Sequence, residues 1–141
     1  MKTTVTKLLT FTLACILLLS LVACNQVEKT GIWEEATYLS DKTFGSGEKT
    51  LTVEVSAEDQ SVTFTVKTDK KTVGEALLEH DLIGGEEGAY GLYIKKVNGM
   101  TADYDVDRTY WAFYVNGEYA MTGVDTTEID EDATYKLERA K

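Results

Sequence analysis

Two alternating segments placed at hairpin distance constrain this chain more than any other feature. Leu51, Val53 and Val55 alternate with Thr52 and Glu54, and Val62, Phe64 and Val66 alternate with Thr63, Thr65 and Lys67. A period of two puts the apolar side chains of a strand on one face. With a turn over residues 57–60, the strands pair antiparallel and share an apolar face that another element has to cover. One short helix can supply that cover. Thr72-Val73-Gly74-Glu75 reads as a capping box, and Val73, Ala76, Leu77 and His80 fall at i, i+3, i+4 and i+7. The helix ends before Gly84-Gly85. Residues 91–97, 109–115 and 134–139 read as three further strands, the last with Tyr135 and Leu137 inward. Asn98-Gly99 and Asn116-Gly117 favour the positive φ angles of hairpin turns. This order predicts an α+β fold, a β-grasp-like roll with an antiparallel or mixed sheet of four to five strands and one short helix.

The N-terminus reads as an address. Lys2 and Lys7 precede an uncharged, Leu-rich run from Leu8 to Leu21, about 14 residues, too short for the ~20 that span a bilayer. It ends in Leu21-Val22-Ala23-Cys24, which resembles the lipobox of bacterial lipoproteins, where the Cys becomes the first residue and carries lipid. A plain secreted protein with an incidental Cys is the alternative. The expected division is a signal peptide over residues 1–23, a lipidated Cys24 with tether and lead-in over 24–48, and the domain over 49–141. Long acyl chains at ~0.8 kcal/mol per buried CH₂ would anchor the chain to the membrane without a transmembrane helix. The implied location is the extracytoplasmic face of a bacterial cell membrane. Cys15 would leave with the signal and Cys24 would carry lipid, so the folded part has no disulfide and depends on its core.

Charge narrows the partners. With 24 acidic against 14 basic residues the net charge is −10, and losing Lys2 and Lys7 with the signal makes it −12. Nucleic acid is excluded as a partner, because its binding relies on Lys and Arg at phosphates. A single His and two Cys leave little material for a protein-built metal site or a His-dependent nucleophile. No phosphate loop or nucleophile elbow occurs, so the chain reads as non-enzymatic, with no cofactor and no metal. Asp103, Asp105 and Asp107 start like a calcium loop, but Arg108 stands where Gly is needed and Tyr114 where a bidentate Glu is needed, so they read as a solvated acidic turn. His80 reads as a helix-end residue.

Tyr110-Trp111-Ala112-Phe113-Tyr114-Val115 is the densest aromatic stretch. On a strand, Trp111, Phe113 and Val115 face one way and Tyr110, Ala112 and Tyr114 the other. One set can be core and the other a cross-strand surface ladder. Alternatively, the exposed set is an apolar platform for a ligand.

Thr72 to Leu78, Tyr90-Gly91-Leu92-Tyr93-Ile94 leading to Val97-Asn98-Gly99, then Tyr110 to Gly117 and Gly123-Val124, together resemble the transcobalamin-like C-terminal domain of small bacterial surface lipoproteins. The resemblance covers roughly residues 50–141 and implies a β-grasp fold. It also implies that the Tyr110-Trp111 strand and the Gly123-Val124 loop lie near a corrinoid. The implied site is Tyr110, Trp111 and Tyr114 stacking on the ligand, with main-chain groups around Gly123 and Val124 contacting its amides. The chain is too short to contain the large helical barrel of the vitamin carriers. The expectation is therefore a lipid-anchored surface domain that captures cobalamin or another corrinoid and hands it to a membrane transporter. The alternative is an adhesion or interaction module that binds protein or polysaccharide through its aromatic face.

Overall fold

The computed structural model describes residues 26–141. The expected signal peptide over residues 1–23, with Cys15, and the expected lipidation position Cys24 lie outside the described residues. A 3-10 turn at Gly31–Glu34 leads into β1 (Lys42–Gly45), β2 (Lys49–Ala57), β3 (Gln60–Thr68), α1 (Val73–Glu79), β4 (Ile83–Gly88) and β5 (Gly91–Val97). Then come β6 (Met100–Thr101), α2 (Tyr104–Asp107), β7 (Tyr110–Val115), β8 (Glu118–Tyr119) and β9 (Tyr135–Ala140). The strands form a six-stranded sheet, β1-β3-β2-β9-β7-β8, and a three-stranded sheet, β4-β5-β6.

The fold is α+β and mostly β, but a single sheet of four to five strands with one helix is corrected to two sheets and two helices. The hairpin is in the expected register, with Val53 opposite Phe64 and Val55 opposite Val62. β2 also runs parallel to β9, and β1 parallel to β3, so the large sheet is mixed. The extra strands lack the alternation that exposes a strand in sequence. In β1 the side chains are exposed except for a half-buried Phe44, and β4 carries Gly84-Gly85-Glu86-Glu87-Gly88, a run held by backbone pairing to β5. Asp103 caps α2 through its Oδ1, which accepts from Asp105 N–H at 3.1 Å. The acidic run read as a turn is thus one helical turn.

The inward set matches the alternation. Leu51, Val53, Val55, Val62, Phe64, Val66, Tyr135 and Leu137 are buried together with Val73, Ala76 and Leu77 of α1. Thr72 and Glu75 form the reciprocal capping box. The segment before residue 49 is bonded to this core. Trp33 is fully buried and its Nε1 donates to the Ala57 carbonyl at 2.9 Å. Residues 26–31, read as tether, are tied in as well: Val27 is buried, its N–H donates to Leu39, and Glu28 exchanges two hydrogen bonds with the Gln60 side chain.

Seven helical residues extend only about 10 Å at 1.5 Å per residue. Six strands at ~4.8 Å spacing extend about 24 Å across. α1 therefore covers the β3 side of the large sheet, and β5 of the small sheet lies against β7 at the other end. The seam beside β7 is where the candidate site forms.

Candidate functional site

A groove of about 410 Å³ opens between β5, β7 and the segment after β8. Leu92, Tyr93 and Ile94 form one wall, Tyr110, Trp111 and Phe113 the other, and residues 119–124 close one side. Two other hollows of similar size are lined largely by charged and polar groups, one around Glu54, Lys136 and Glu138 and one around Thr68, Asp69, Glu79 and His80. Aromatic side chains concentrate at the β5–β7 groove, and a groove of this size falls within the range of small-molecule sites.

Local sequence explains how the walls are held. Helix α1 leaves its first N–H groups without partners inside the helix. Val73 N–H donates to the Thr127 carbonyl at 2.9 Å and Gly74 N–H to the Val124 carbonyl at 2.8 Å. Gly74 eases that approach, because a Cβ there would stand 3.0 Å from the Asp125 backbone, closer than ordinary van der Waals contact. The Gly123 carbonyl accepts from Thr127 Oγ1 at 2.8 Å and Thr126 Oγ1 at 3.3 Å. Asp125 then ties this segment to the opposite wall, its Oδ2 accepting from Leu92 N–H at 3.2 Å.

Of the residues singled out in sequence, Tyr110, Trp111, Gly123 and Val124 line this one groove. Trp111 and Val124 are buried, Tyr110 is half-buried and Gly123 exposed. Tyr114 is not in the lining. It packs edge-to-face on Tyr119 at 5.7 Å, with Lys136 Nζ 5.9 Å from its ring, as a cross-strand ladder does. Of the main-chain groups around Gly123 and Val124, the Val124 carbonyl accepts from Gly74 N–H of α1 and the Gly123 carbonyl from the Thr126 and Thr127 hydroxyls. Leu92, Ile94, Phe113 and Met121 also line the groove and were not assigned to the site in sequence, nor was Asp125, which ties its walls together without lining it. Apolar residues on β5 were the available signal, whereas Asp125 carries none in sequence.

The rim is unusually apolar. Tyr90 is fully exposed, Met121 is 96% exposed, and Tyr93 and Tyr119 are about half exposed. Clustered exposed apolar groups mark contact surfaces. The acidic run lies elsewhere, with the carboxylates of Asp103 and Asp107 engaged. Asp107 accepts from Thr109 N–H and Oγ1 and pairs with Arg139 at 2.9 Å, and these bonds, with Thr109 first, hold its carboxyl below the usual range. Among the described residues no three His, Cys, Asp or Glu side chains cluster so as to hold a metal ion. Nor is any described helix long and apolar enough to cross a membrane.

Residues 70–134 match the model of a domain of unknown function, DUF4430. A crystal structure from Ruminococcus gnavus, described as "a putative metal binding protein", is 36% identical, with a TM-score of 0.62 over 67% of this chain and 98% of that one. The two chains belong to one family. Haptocorrin in complex with Cbi shares the fold at 22% identity and a TM-score of 0.51. That match covers 70% of this chain but only 26% of haptocorrin. No curated protein matches the chain.

Proposed function

We propose that this family member is a lipid-anchored surface domain that binds a small-molecule ligand in the β5–β7 groove, without catalysis, and that the ligand is a corrinoid. The observation that carries the reading is the convergence of Tyr110, Trp111, Gly123 and Val124 on one aromatic groove. The shared fold with haptocorrin, which is described in complex with Cbi, supports the ligand class. The resemblance to the transcobalamin-like β-grasp domain and the lipobox at Cys24 support the location and a role in capture before transfer to a membrane transporter. A groove of about 410 Å³ would take one edge of a corrin ring and leave the opposite edge free. The exposed Tyr90 and Met121 on the rim favour a second protein that completes the enclosure, in keeping with the interaction-module alternative.

The test is titration of residues 25–141 with cobalamin and cobinamide by absorbance and calorimetry, with Trp111→Ala as the control. Saturable binding that the substitution abolishes is expected. Absence of binding at ~100 μM, about −5.5 kcal/mol, would reject the isolated domain as a corrinoid receptor and leave the interaction module.

A further inference from the structure

The fold begins almost at the expected lipid anchor. Cys24, Asn25 and Gln26 are consecutive, and Gln26 already pairs antiparallel with Ser40. Val27 is buried with its N–H donating to the Leu39 carbonyl at 2.9 Å, and Glu28 is bonded to the Gln60 side chain at 2.7 and 3.1 Å. The stretch expected as a tether is therefore part of the domain, and Asn25 alone separates it from Cys24. Two Cα–Cα steps of ~3.8 Å reach at most about 7 Å, roughly the depth of one headgroup layer. A lipid on Cys24 leaves no spacer between the bilayer and Gln26.

The sheet order fixes what lies nearest to the anchored end and what lies farthest from it. Ser40 stands two residues before β1, Asp41 Oδ1 accepts from Thr63 N–H of β3 at 2.8 Å, and β1 is an edge strand of the large sheet. β7, which forms one wall of the groove, is four strand positions away in the order β1-β3-β2-β9-β7-β8, about 19 Å at ~4.8 Å per strand. Charge favours an upright domain. Without residues 1–23 the chain carries 24 acidic against 12 basic residues, a net of −12, which an anionic membrane surface repels. The covalent anchor holds the β1 edge down while the rest of the domain is pushed outward.

We propose that the β1 edge of the large sheet, with Gln26 and Ser40, rests on the lipid headgroups, and that the β5–β7 groove opens on the far side, about 19 Å further from the bilayer. The inference rests on the lipid-anchor reading, but it does not require the ligand to be a corrinoid. It sets a condition on hand-over. A membrane transporter reaches the groove only through a part that projects that far from the surface, or through a second protein. Tyr90 and Met121, exposed on the rim, then face such a partner and not lipid.

Residues 24–141 have Cys24 as their sole thiol, so coupling it to a maleimide lipid builds the anchor whether or not the cell does. The ¹⁵N-labelled, coupled chain is placed on nanodiscs of mixed neutral and anionic lipid carrying gadolinium-chelate headgroups, and the relaxation of each backbone amide reports its distance from the surface. The paramagnetic effect falls as a steep inverse power of distance, so a difference of ~19 Å should make the enhancement at Gln26, Ser40 and Lys42 at least about tenfold that at Tyr90, Tyr93 and Met121. Inserting about ten Gly and Ser residues after Asn25 gives the domain a flexible spacer and should lower the enhancement at Gln26 and Ser40 several-fold. Equal enhancement at the two edges, stronger enhancement at the rim, or no response to the insertion overturns the orientation. Native anchoring is read separately, from the intact mass of the full chain recovered from bacterial membranes, against Cys24→Ser. No lipid on Cys24 rejects the anchor reading and, with it, the orientation in the cell. Lipid on Cys24 with equal enhancement at both edges keeps the anchor and rejects the orientation alone.

Discussion

Replacing Gly91 by Ala tests the clamp that sets the width of the groove. Gly91 has φ +102°, and a Cβ on it would lie 2.2 Å from Asp125 Oδ2, the atom that accepts from Leu92 N–H. Two penalties are therefore expected. A side chain at that φ adds about 2 kcal/mol of backbone strain. Displacing the carboxylate loses a charge-assisted hydrogen bond and crowds its surroundings, about 2 kcal/mol more. Gly91→Ala should then destabilise by about 4 kcal/mol, and Asp125→Ala alone by about 1.5 kcal/mol. In the double variant the clash is gone but the strain and the lost bond remain, so about 3.5 kcal/mol is expected where additivity gives about 5.5. Urea unfolding followed by tryptophan fluorescence reads this coupling of about 2 kcal/mol directly. With a slope near 2 kcal/mol/M, the single Gly91 variant should unfold about 2 M earlier than the wild type. Additivity within about 0.5 kcal/mol would place the carboxylate away from Gly91 and refute the clamp.

Other consequences are open to measurement. Thr72→Ala removes the α1 cap and should lower stability by about 1 kcal/mol in denaturant unfolding. It should also speed amide exchange at Val73 and Gly74, whose N–H groups hold the groove segment. Trp33→Phe keeps most of the ring volume but removes the indole donor to the Ala57 carbonyl, so about 1 kcal/mol should be lost in urea; no change would mean that the indole bond does not hold the lead-in to the domain. Asn98 is buried and exchanges two hydrogen bonds with the Tyr38 backbone, at 2.8 and 2.9 Å, so Asn98→Ala should cost about 2–4 kcal/mol by thermal unfolding. Backbone N–H groups of Thr72 and Lys71 hold the Glu75 carboxyl below its ordinary 4.5. Its folded pKa is thus below the unfolded one, so its stabilisation is complete above the unfolded value and is lost as pH falls through the folded value. The Tm difference between wild type and Glu75→Gln should accordingly shrink as pH falls from the unfolded carboxylate's range through the lower folded value; a constant difference would refute a role for the carboxylate charge.

Local rules were sufficient for elements whose instructions lie within a few residues. Alternation placed the inward faces of β2, β3 and β9, the capping box placed α1, and Asn98-Gly99 and Asn116-Gly117 placed two hairpin turns. The same rules missed β1 and β4 because backbone pairing makes those strands while their side chains mostly face water. They could assign Tyr110, Trp111 and Tyr114 to opposite faces of a strand, but not say which face another layer would cover. Tertiary packing decided that: a seven-residue helix reaches across only part of a six-stranded sheet, so the small sheet packs against β7 and leaves a seam. Trp111 lines the seam, whereas Tyr114, on the other face, joins a surface ladder. Asp125 is the clearest case of what distance conceals. Its partner Leu92 is 33 residues away, and nothing near Asp125 in the chain marks it. Periodicity, caps and turns are short-range and readable in sequence. A groove is made where separate layers fail to cover one another, and that is decided only when those layers meet.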